Sequence, residues 1–201
     1  ISDVDQFDAS FFGIPPKEAE FIDPQHRLFL ETSWHTLEDA GYRPSELSGK
    51  RISVFVGVST QDYRQELYST NVEMDSRIST GLAVSMVANR VSFLLNFTGP
   101  SDISDTACSS SLVAVHRGIQ SIYNEGCEMA LVGGVNLILI PEVMVAFGKT
   151  GMLTEEKEVR TFDQQAQGYI RGEGVGALLL KPLSQAEADH DSIYAVIRGS
   201  A

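Results

Sequence analysis

The chain has few cysteines and no long apolar run, and each shortage excludes a class of protein. Its 201 residues include two cysteines, Cys108 and Cys127. Two are too few for a disulfide framework and favour a reducing, cytoplasmic setting. No apolar run reaches the length of a membrane-spanning helix. The first residues, ISDVDQFDASFFG, lack the basic start and apolar stretch of a signal peptide.

Positive charge is also scarce. Fifteen Lys and Arg stand against 27 Asp and Glu, which gives a formal net charge of −12. Such a balance disfavours binding to nucleic acid and to anionic membranes, so we expect neither as a partner. The four histidines and two cysteines do not show the spacing of metal ligands. We therefore predict no metal site and no cofactor bound directly by this chain.

Two kinds of apolar pattern alternate along the chain. Continuous apolar runs, typical of buried strands, occur at 51–59, 129–140, 174–184 and 192–200, with a short strand near 102–104. Helical spacing and helix end signals occur from Pro24 to Gly41, over 81–97 and from about Ser109 to Asn124. Strands that alternate with long helices predict an α/β layered fold with a mostly parallel central sheet.

Cys108 lies among small side chains in the stretch SDTACSSSLVAVH, directly before a predicted helix. The amide groups and dipole of a helix N-terminus favour a thiolate and can hold the oxyanion formed when a thioester is attacked. A sharp strand-turn-helix would expose the sulfur, as in a nucleophile elbow. Helical spacing also predicts a buried stripe that begins at this cysteine, formed by Cys108, Leu112, Val115, Ile119 and Ile122. Cys108 is thus a candidate nucleophile, and an inert buried cysteine is the alternative.

None of the four histidines is a convincing catalytic partner of Cys108. His116 lies eight residues further along the predicted helix, roughly 12 Å away by helical rise and outside hydrogen-bond reach. We interpret the other histidines as packing, surface or turn residues: His26, His35 and His190. Cys127 follows Gly126 at the entry to a strand and is predicted to be structural. The partners of a catalytic Cys108 are therefore expected outside these 201 residues.

Three further motifs favour structural roles. The segment RGEGVG, residues 171–176, resembles a phosphate loop, but its glycines precede a strand and do not open a helix. We expect close backbone packing there, with Glu173 paired to a cation elsewhere. Gly133 and Gly134 within a strand predict close approach by another backbone. The serines at 109–111 lack the G-x-S-x-G frame of a serine hydrolase.

The stretch DTACSSSLVAVH resembles the active-site segment of the ketosynthase (beta-ketoacyl synthase) domains of modular polyketide synthases. Similar segments follow the family's order over essentially all 201 residues, among them FDASFFGIPPKEAEFIDPQHRLFLETSWHTLEDAG, ANRVSFLLNFTGPS, ALVGGVN and GYIRGEGVGALLLKPLS. The phrases NFTGPSDISDTACSSS and GIPPKEAEFIDPQHR resemble the trans-acyltransferase type.

This resemblance implies a thiolase-like fold with two similar halves in layered αβαβα order. Residues 1–201 would then form a partial ketosynthase domain: most of the N-terminal half, without the opening strand region and without the C-terminal half. Cys108 matches the family nucleophile. The two catalytic histidines of the family lie in HGTGT-like and NIGH-like motifs of the second half, which this sequence does not contain.

The resemblance also implies a reaction and its partners. Cys108 would take an acyl chain from the phosphopantetheine thioester of an acyl carrier protein. A malonyl unit on a carrier would lose CO2, and its carbanion would attack the acyl-cysteine. The implied partners are the acyl carrier protein, a second copy of the chain with the short strand before Cys108 near the two-fold axis, and other polyketide synthase domains. Two alternatives remain: a non-condensing relative that only transfers acyl chains, and an inactive half-domain fragment.

Overall fold

One mixed β-sheet organises the chain in the computed structural model, which describes residues 1–70 and 76–201. Its strands are β1 (Ile52–Gly57), β2 (Ser101–Ser104), β3 (Met129–Asn136) and β4 (Gly174–Leu180). β1 pairs in parallel with β2 and β3, and β4 pairs antiparallel with β3, in the order β2-β1-β3-β4. The predicted α/β fold with a mostly parallel sheet is confirmed.

Helices cover both faces of this sheet. In the described ranges they are α1 (Pro16–Ala19), α2 (Pro24–Asp39), α3 (Pro44–Leu47), α4 (Asp62–Ser69), α5 (Arg77–Leu82), α6 (Met86–Leu95), α7 (Ser110–Glu125), α8 (Glu142–Lys149) and α9 (Leu183–Ala188). The two longest, α2 and α7, have 16 residues each. Nowhere in residues 1–70 or 76–201 is a helix both long and apolar enough to cross a membrane.

Alternating side chains of β1 serve two cores on opposite faces of the sheet. Val54 and Val56 join the larger core, in which α2 and α6 supply buried residues such as Phe29 and Val91. Phe55 points to the other face and joins a smaller core beneath α7. All six residues of β1 are buried. The apolar run of this segment is therefore that of a strand covered on both faces, as predicted.

The N-terminal end of α2 forms as the sequence predicts. The Asp23 carboxylate accepts a hydrogen bond from the Gln25 amide at 2.8 Å, and Pro24 occupies the first helical position. The helix ends at Asp39, two residues before Gly41, which has a φ of +80°. This residue is in the left-handed conformation that ends many helices.

The single helix predicted over 81–97 is wrong, because two helices occupy this region. α5 ends at Leu82, and the chain becomes extended at Ala83 before α6 begins at Met86. Gly81 lies so close to the backbone of Phe21 that a Cβ there would sit 2.2 Å from the Phe21 carbonyl oxygen. α5 is thus held against the segment before α2 while α6 packs on the sheet, and one straight helix cannot meet both surfaces.

The strand predicted at 192–200 is also wrong. These residues have no regular secondary structure and pair with none of the described strands. The segment is tethered by side chains instead: the Tyr194 hydroxyl donates to Asp39 at 3.1 Å, and Ser200 Oγ lies 3.0 Å from His116 Nδ1. An apolar alternation favours a strand, but a strand also needs a neighbouring backbone to bond.

The strand predicted over 129–140 is shorter than expected. β3 ends at Asn136. Beyond it, the backbone amides bond side chains from other segments: Leu137 donates to Gln25 at 3.3 Å and Leu139 to Asp62 at 3.1 Å. These carboxylate and amide oxygens take the place of a neighbouring strand, so Leu137 and Ile140 stay buried outside the sheet while Ile138 and Leu139 are half-buried.

Candidate active site

Cys108 lies in a short connection between β2 and α7. β2 ends at Ser104, residues Ala107–Ser109 form one 3-10 turn, and α7 begins at Ser110. The Cys108 side chain is exposed. This is the strand-turn-helix arrangement that the sequence predicts, with the sulfur at the carboxyl edge of the parallel strands.

The residue before the cysteine has a strained backbone. Ala107 has a φ of +55°, in the left-handed region that side chains other than glycine seldom adopt. Such conformations persist where the surrounding structure holds them, and they concentrate at functional sites. At this position the left-handed residue bends the chain sharply between strand and helix, and it carries Cys108 to the surface.

Side-chain hydrogen bonds hold the turn in place. The buried Ser110 hydroxyl accepts from the Thr106 amide at 2.9 Å and donates to the Ala107 carbonyl at 2.7 Å. The Asp105 carboxylate accepts from the Ser59 hydroxyl at 2.7 Å and from the Ala107 amide at 3.3 Å. The turn is therefore tied both to the first turn of α7 and to the segment that follows β1.

Sequence reasoning missed Asp105 and Ser59. A signal for them was present, because each lies just after a strand: Ser59 comes two residues after the end of β1, and Asp105 comes immediately after β2. The carboxyl ends of neighbouring parallel strands lie at one edge of a sheet, where functional groups of α/β proteins gather. That rule brings the two residues together once β1 and β2 are known to be neighbours.

Two glycines allow α7 to begin directly against the sheet. A Cβ on Gly57, the last residue of β1, would lie 2.5 Å from the Ser111 amide nitrogen. A Cβ on Gly134 of β3 would lie 2.9 Å from the Ser111 Cβ. A Cβ on the neighbouring Gly133 would lie 2.2 Å from the Gly176 carbonyl oxygen of β4. The close backbone approach predicted for Gly133 and Gly134 is confirmed.

The buried stripe predicted to begin at Cys108 is wrong in its first two members. Cys108 is exposed and Leu112 is 73% exposed. Val115, Ile119 and Ile122 are half-buried, at the margin of the interface. The buried face of α7 consists instead of small residues: Ser110, Ala114, Gly118 and Ser121.

Close packing explains why small residues form the buried face of α7. A Cβ on Gly118 would lie 2.4 Å from Cγ1 of Val132 in β3. At such a short distance between helix and sheet, larger side chains do not fit between them. Periodicity of large apolar residues therefore identified the margins of the buried face and missed its centre.

The other cysteine and the histidines lie apart from this turn. Cys127 is 4% exposed, next to the start of β3, as predicted for a structural cysteine. His26 is buried in α2, and burial, assisted by the charges of Arg90 and Arg27, lowers its pKa to about 3. In residues 1–70 and 76–201, no histidine side chain forms a hydrogen bond with Cys108.

The RGEGVG segment leads into β4, which begins at Gly174. The Glu173 carboxylate accepts a hydrogen bond from the Ile138 amide at 2.8 Å. The pairing of Glu173 with a cation elsewhere stays a prediction.

The comparisons with known proteins agree on one family. The family described as "Beta-ketoacyl synthase, N-terminal domain" matches residues 1–186. Polyketide synthase PksN of Bacillus subtilis is 47% identical over 201 residues, which are 100% of this chain and 4% of that protein. Probable polyketide synthase 1 of Dictyostelium discoideum is 49% identical over 193 residues, 96% of this chain and 6% of that protein. The chain thus spans a small part of these curated relatives.

Solved structures show the same relationship in three dimensions. The ketosynthase from module 6 of the bacillaene synthase of Bacillus subtilis has a TM-score of 0.87 and 42% identity over 96% of this chain and 33% of its own length. An oxazolomycin ketosynthase domain from Streptomyces albus has a TM-score of 0.84 and the same identity. The chain therefore belongs to the beta-ketoacyl synthase family, corresponds to the N-terminal part of a polyketide synthase ketosynthase, and has the thiolase-like fold of that family.

Proposed function

We propose that Cys108 is the acyl-accepting nucleophile of a ketosynthase that catalyses decarboxylative Claisen condensation in polyketide biosynthesis. One observation carries the proposal: in a chain of this family, an exposed sulfur stands on a strained turn directly before a 16-residue helix. Cys127, at 4% exposed, offers no comparable access to a substrate.

In the first step, the Cys108 thiolate attacks the carbonyl carbon of an acyl chain bound as a thioester to the phosphopantetheine arm of an acyl carrier protein. The new carbon–sulfur bond forms while the carbonyl electrons move to oxygen. The intermediate then expels the phosphopantetheine thiolate, which takes up a proton. Among the described residues, the Cys108 amide has no hydrogen-bond acceptor of its own, so it is free to stabilise the oxyanion, with support from the dipole of α7.

In the second step, a malonyl unit on a carrier protein loses CO2, and the resulting carbanion attacks the acyl-cysteine carbonyl. The carbon–carbon bond forms, the Cys108 thiolate leaves, and the β-ketoacyl chain remains on the carrier. Negative charge develops on the thioester oxygen during this step and requires hydrogen-bond donors. The sequence contains neither an HGTGT-like nor an NIGH-like motif, so we assign this role to histidines beyond these 201 residues.

A second copy of the chain is the proposed structural partner. β2 stands at the end of the strand order and pairs only with β1 within residues 1–70 and 76–201. An edge strand presents unpaired amide and carbonyl groups to another strand. A homodimer formed along β2 would place both Cys108 turns near the two-fold axis. Other polyketide synthase domains of the same assembly, with the acyl carrier protein, complete the set of proposed partners.

Transfer without condensation is the alternative activity. It requires the nucleophile alone, and the turn around Cys108 is the part of the reaction machinery present in these residues. A condensing ketosynthase converts the loaded chain and a malonyl carrier into a β-ketoacyl carrier, whereas a transferring relative returns the chain unchanged.

Mass spectrometry of the loaded protein tests the proposal. After incubation with an acyl thioester of pantetheine, we expect one acyl group on the peptide that contains Cys108. Cys127→Ser should load normally, and Cys108→Ala should not load. An adduct on Cys127, or none on Cys108 in protein that unfolds cooperatively, would overturn the assignment. In a protein that also contains the histidines of the second half, a malonyl carrier added afterwards distinguishes condensation from transfer by the mass of the product.

A further inference from the structure

A groove lies on the outer side of α2, on the opposite face of the sheet from α7. Its volume is about 400 Å³, and the loop before α1 forms its second wall. Three aromatic rings line it, together with three carboxylates and one imidazole: Phe11, Phe12, Trp34, Asp8, Glu31, Glu38 and His35. None of these residues belongs to the turn that carries Cys108.

The aromatic rings form one cluster with an exposed member. Phe11 packs edge-to-face against Trp34, with centroids 4.8 Å apart, and against Phe12, with centroids 4.9 Å apart. Phe11 is nonetheless 56% exposed. The cluster therefore holds the ring firmly while part of its surface faces the groove, and an aromatic face attracts a cation.

Three carboxylates stand around these rings. Glu31 and Glu38 are seven residues apart on α2, two turns or roughly 10 Å, with Trp34 between them on the same face. Asp8 comes from the facing loop, where its carboxylate accepts from the Phe11 amide at 3.0 Å. Within the described part of the chain, none of these three carboxylates forms an ion pair.

The side chains that line the groove carry more negative than positive charge. Burial raises the pKa of Glu31, the charge of Asp8 raises it further, and the opposite charges of His35 and Arg27 reduce the effect. His35 is the one basic side chain among the residues that line the groove. A cation from outside would relieve the repulsion between Asp8 and Glu31.

The shape and chemistry select one kind of cation. A planar guanidinium stacks on aromatic faces and donates to two carboxylates at once, whereas an ammonium group acts as a compact, strongly hydrated charge. A groove of this volume accepts one long side chain with a few residues of backbone. We propose that the groove docks an arginine side chain on a basic segment of a partner protein. The proposal does not depend on the reaction of Cys108.

Matched peptides test the charge requirement. The probes are acetyl-Gly-Ser-Arg-Ser-Gly-amide and the same peptide with citrulline, which keeps the planar shape of arginine and lacks its charge. In calorimetric titrations of the protein at low salt, we expect the arginine peptide to bind about tenfold more tightly than the citrulline peptide. The difference should shrink as salt is added.

Matched variants test the location. Phe11→Leu and Glu38→Gln should each weaken binding of the arginine peptide by roughly threefold to tenfold. Phe11→Tyr keeps an aromatic face, and Glu187→Gln makes the same charge change on the exposed helix α9, so both should bind as the parent does. Equal affinity for both peptides, no binding by protein that unfolds cooperatively, or full binding by both Phe11→Leu and Glu38→Gln would each overturn the proposal.

Discussion

Gly57 and Ser111 lie so close that a Cβ on Gly57 would stand 2.5 Å from the Ser111 amide nitrogen. The contact joins the last residue of β1 to the first turn of the helix that follows Cys108. The atoms of α7 that an added Cβ would meet belong to the backbone, so they cannot rotate away as the end of a side chain could. The position of the candidate nucleophile therefore depends on the absence of a single methyl group.

Gly57→Ala tests this dependence. We expect the free energy of unfolding to fall by about 1–3 kcal/mol, because the added Cβ forces α7 away from the sheet. Acyl loading of Cys108 should slow as well. The control is Gly148→Ala in α8, where an added Cβ meets no atom within 4 Å, and where alanine favours the helix. Denaturant unfolding and the loading assay measure the two effects, and equal stability of the two variants would contradict the reasoning.

Ser110→Ala removes the hydroxyl that joins the turn to α7. The Thr106 amide would lose its acceptor in a partly buried site, so we expect a loss of about 1–3 kcal/mol in the free energy of unfolding. Ser109→Ala is the matched control, because the Ser109 hydroxyl bonds Thr106 in an exposed position. It should lose less than half as much. A larger loss for Ser109→Ala in denaturant unfolding would show that the Ser110 hydroxyl does not hold the turn.

Ala107→Val tests the backbone strain beside the cysteine. A β-branched side chain tolerates a φ of +55° poorly, so we expect the free energy of unfolding to fall by about 1–2 kcal/mol. Ala107→Gly removes the steric conflict in the folded state and gains freedom in the unfolded state, so it should remain within about 1 kcal/mol of the parent. The reverse order of the two variants in thermal unfolding would argue against a left-handed residue here.

The two thiols should differ in their rates of alkylation. Cys108 is exposed and Cys127 is 4% exposed, so iodoacetamide should modify Cys108 on the order of 100-fold faster, since Cys127 reacts only when the structure opens. Peptide mapping over a time course measures both rates in one sample. The difference should vanish in denaturant, which provides the internal control, and similar rates in native protein would refute the assigned exposures.

His26 should make stability depend on pH below neutrality. Its pKa is about 3 in the folded protein, below the ordinary value of 6.5, so between these values the unfolded state binds the proton that the folded state excludes. The free energy of unfolding should therefore fall as the pH drops below 6.5, by up to about 1.4 kcal/mol per unit from this group. His26→Gln should lack this component, and the exposed variant His190→Gln should keep it. Parallel pH profiles for the parent and His26→Gln would exclude His26 as the cause.

The sheet and the nucleophile turn were largely predictable from the sequence, because their signals are local. β1 is apolar at nearly every position, Asp23 and Pro24 are typical of a helix N-terminus, and Cys108 lies among small residues before a helix. The hydrogen bonds of the turn were not predictable in this way. Ser59 lies 46 residues from Asp105 and 51 from Ser110, so only the pairing of β1 with β2 brings them together.

The errors in the sequence prediction have physical causes in tertiary packing. The helix expected over 81–97 breaks because Gly81 and the residues after Ala83 meet different surfaces. The stripe expected to begin at Cys108 is displaced because α7 lies too near the sheet for large side chains, and glycine and alanine carry almost no signal in an apolar pattern. Residues 192–200 have the composition of a strand but pair with none of the described strands.

The small-residue face of α7 has a mechanical consequence. Ser110, Ala114, Gly118 and Ser121 let the helix lie close to the sheet, and the Val132 side chain fits against Gly118, which opposes sliding of the helix along its own axis. Hydrogen bonds between side chains and their neighbours also fix its axial position. The Ser121 and Ser53 hydroxyls lie 2.7 Å apart, and the Ser110 hydroxyl donates to the Ala107 carbonyl at the first turn. Loss of one of these hydrogen bonds would let α7 shift along its axis and displace the Cys108 sulfur at its N-terminal end. The packing of the small residues against the sheet would stay intact.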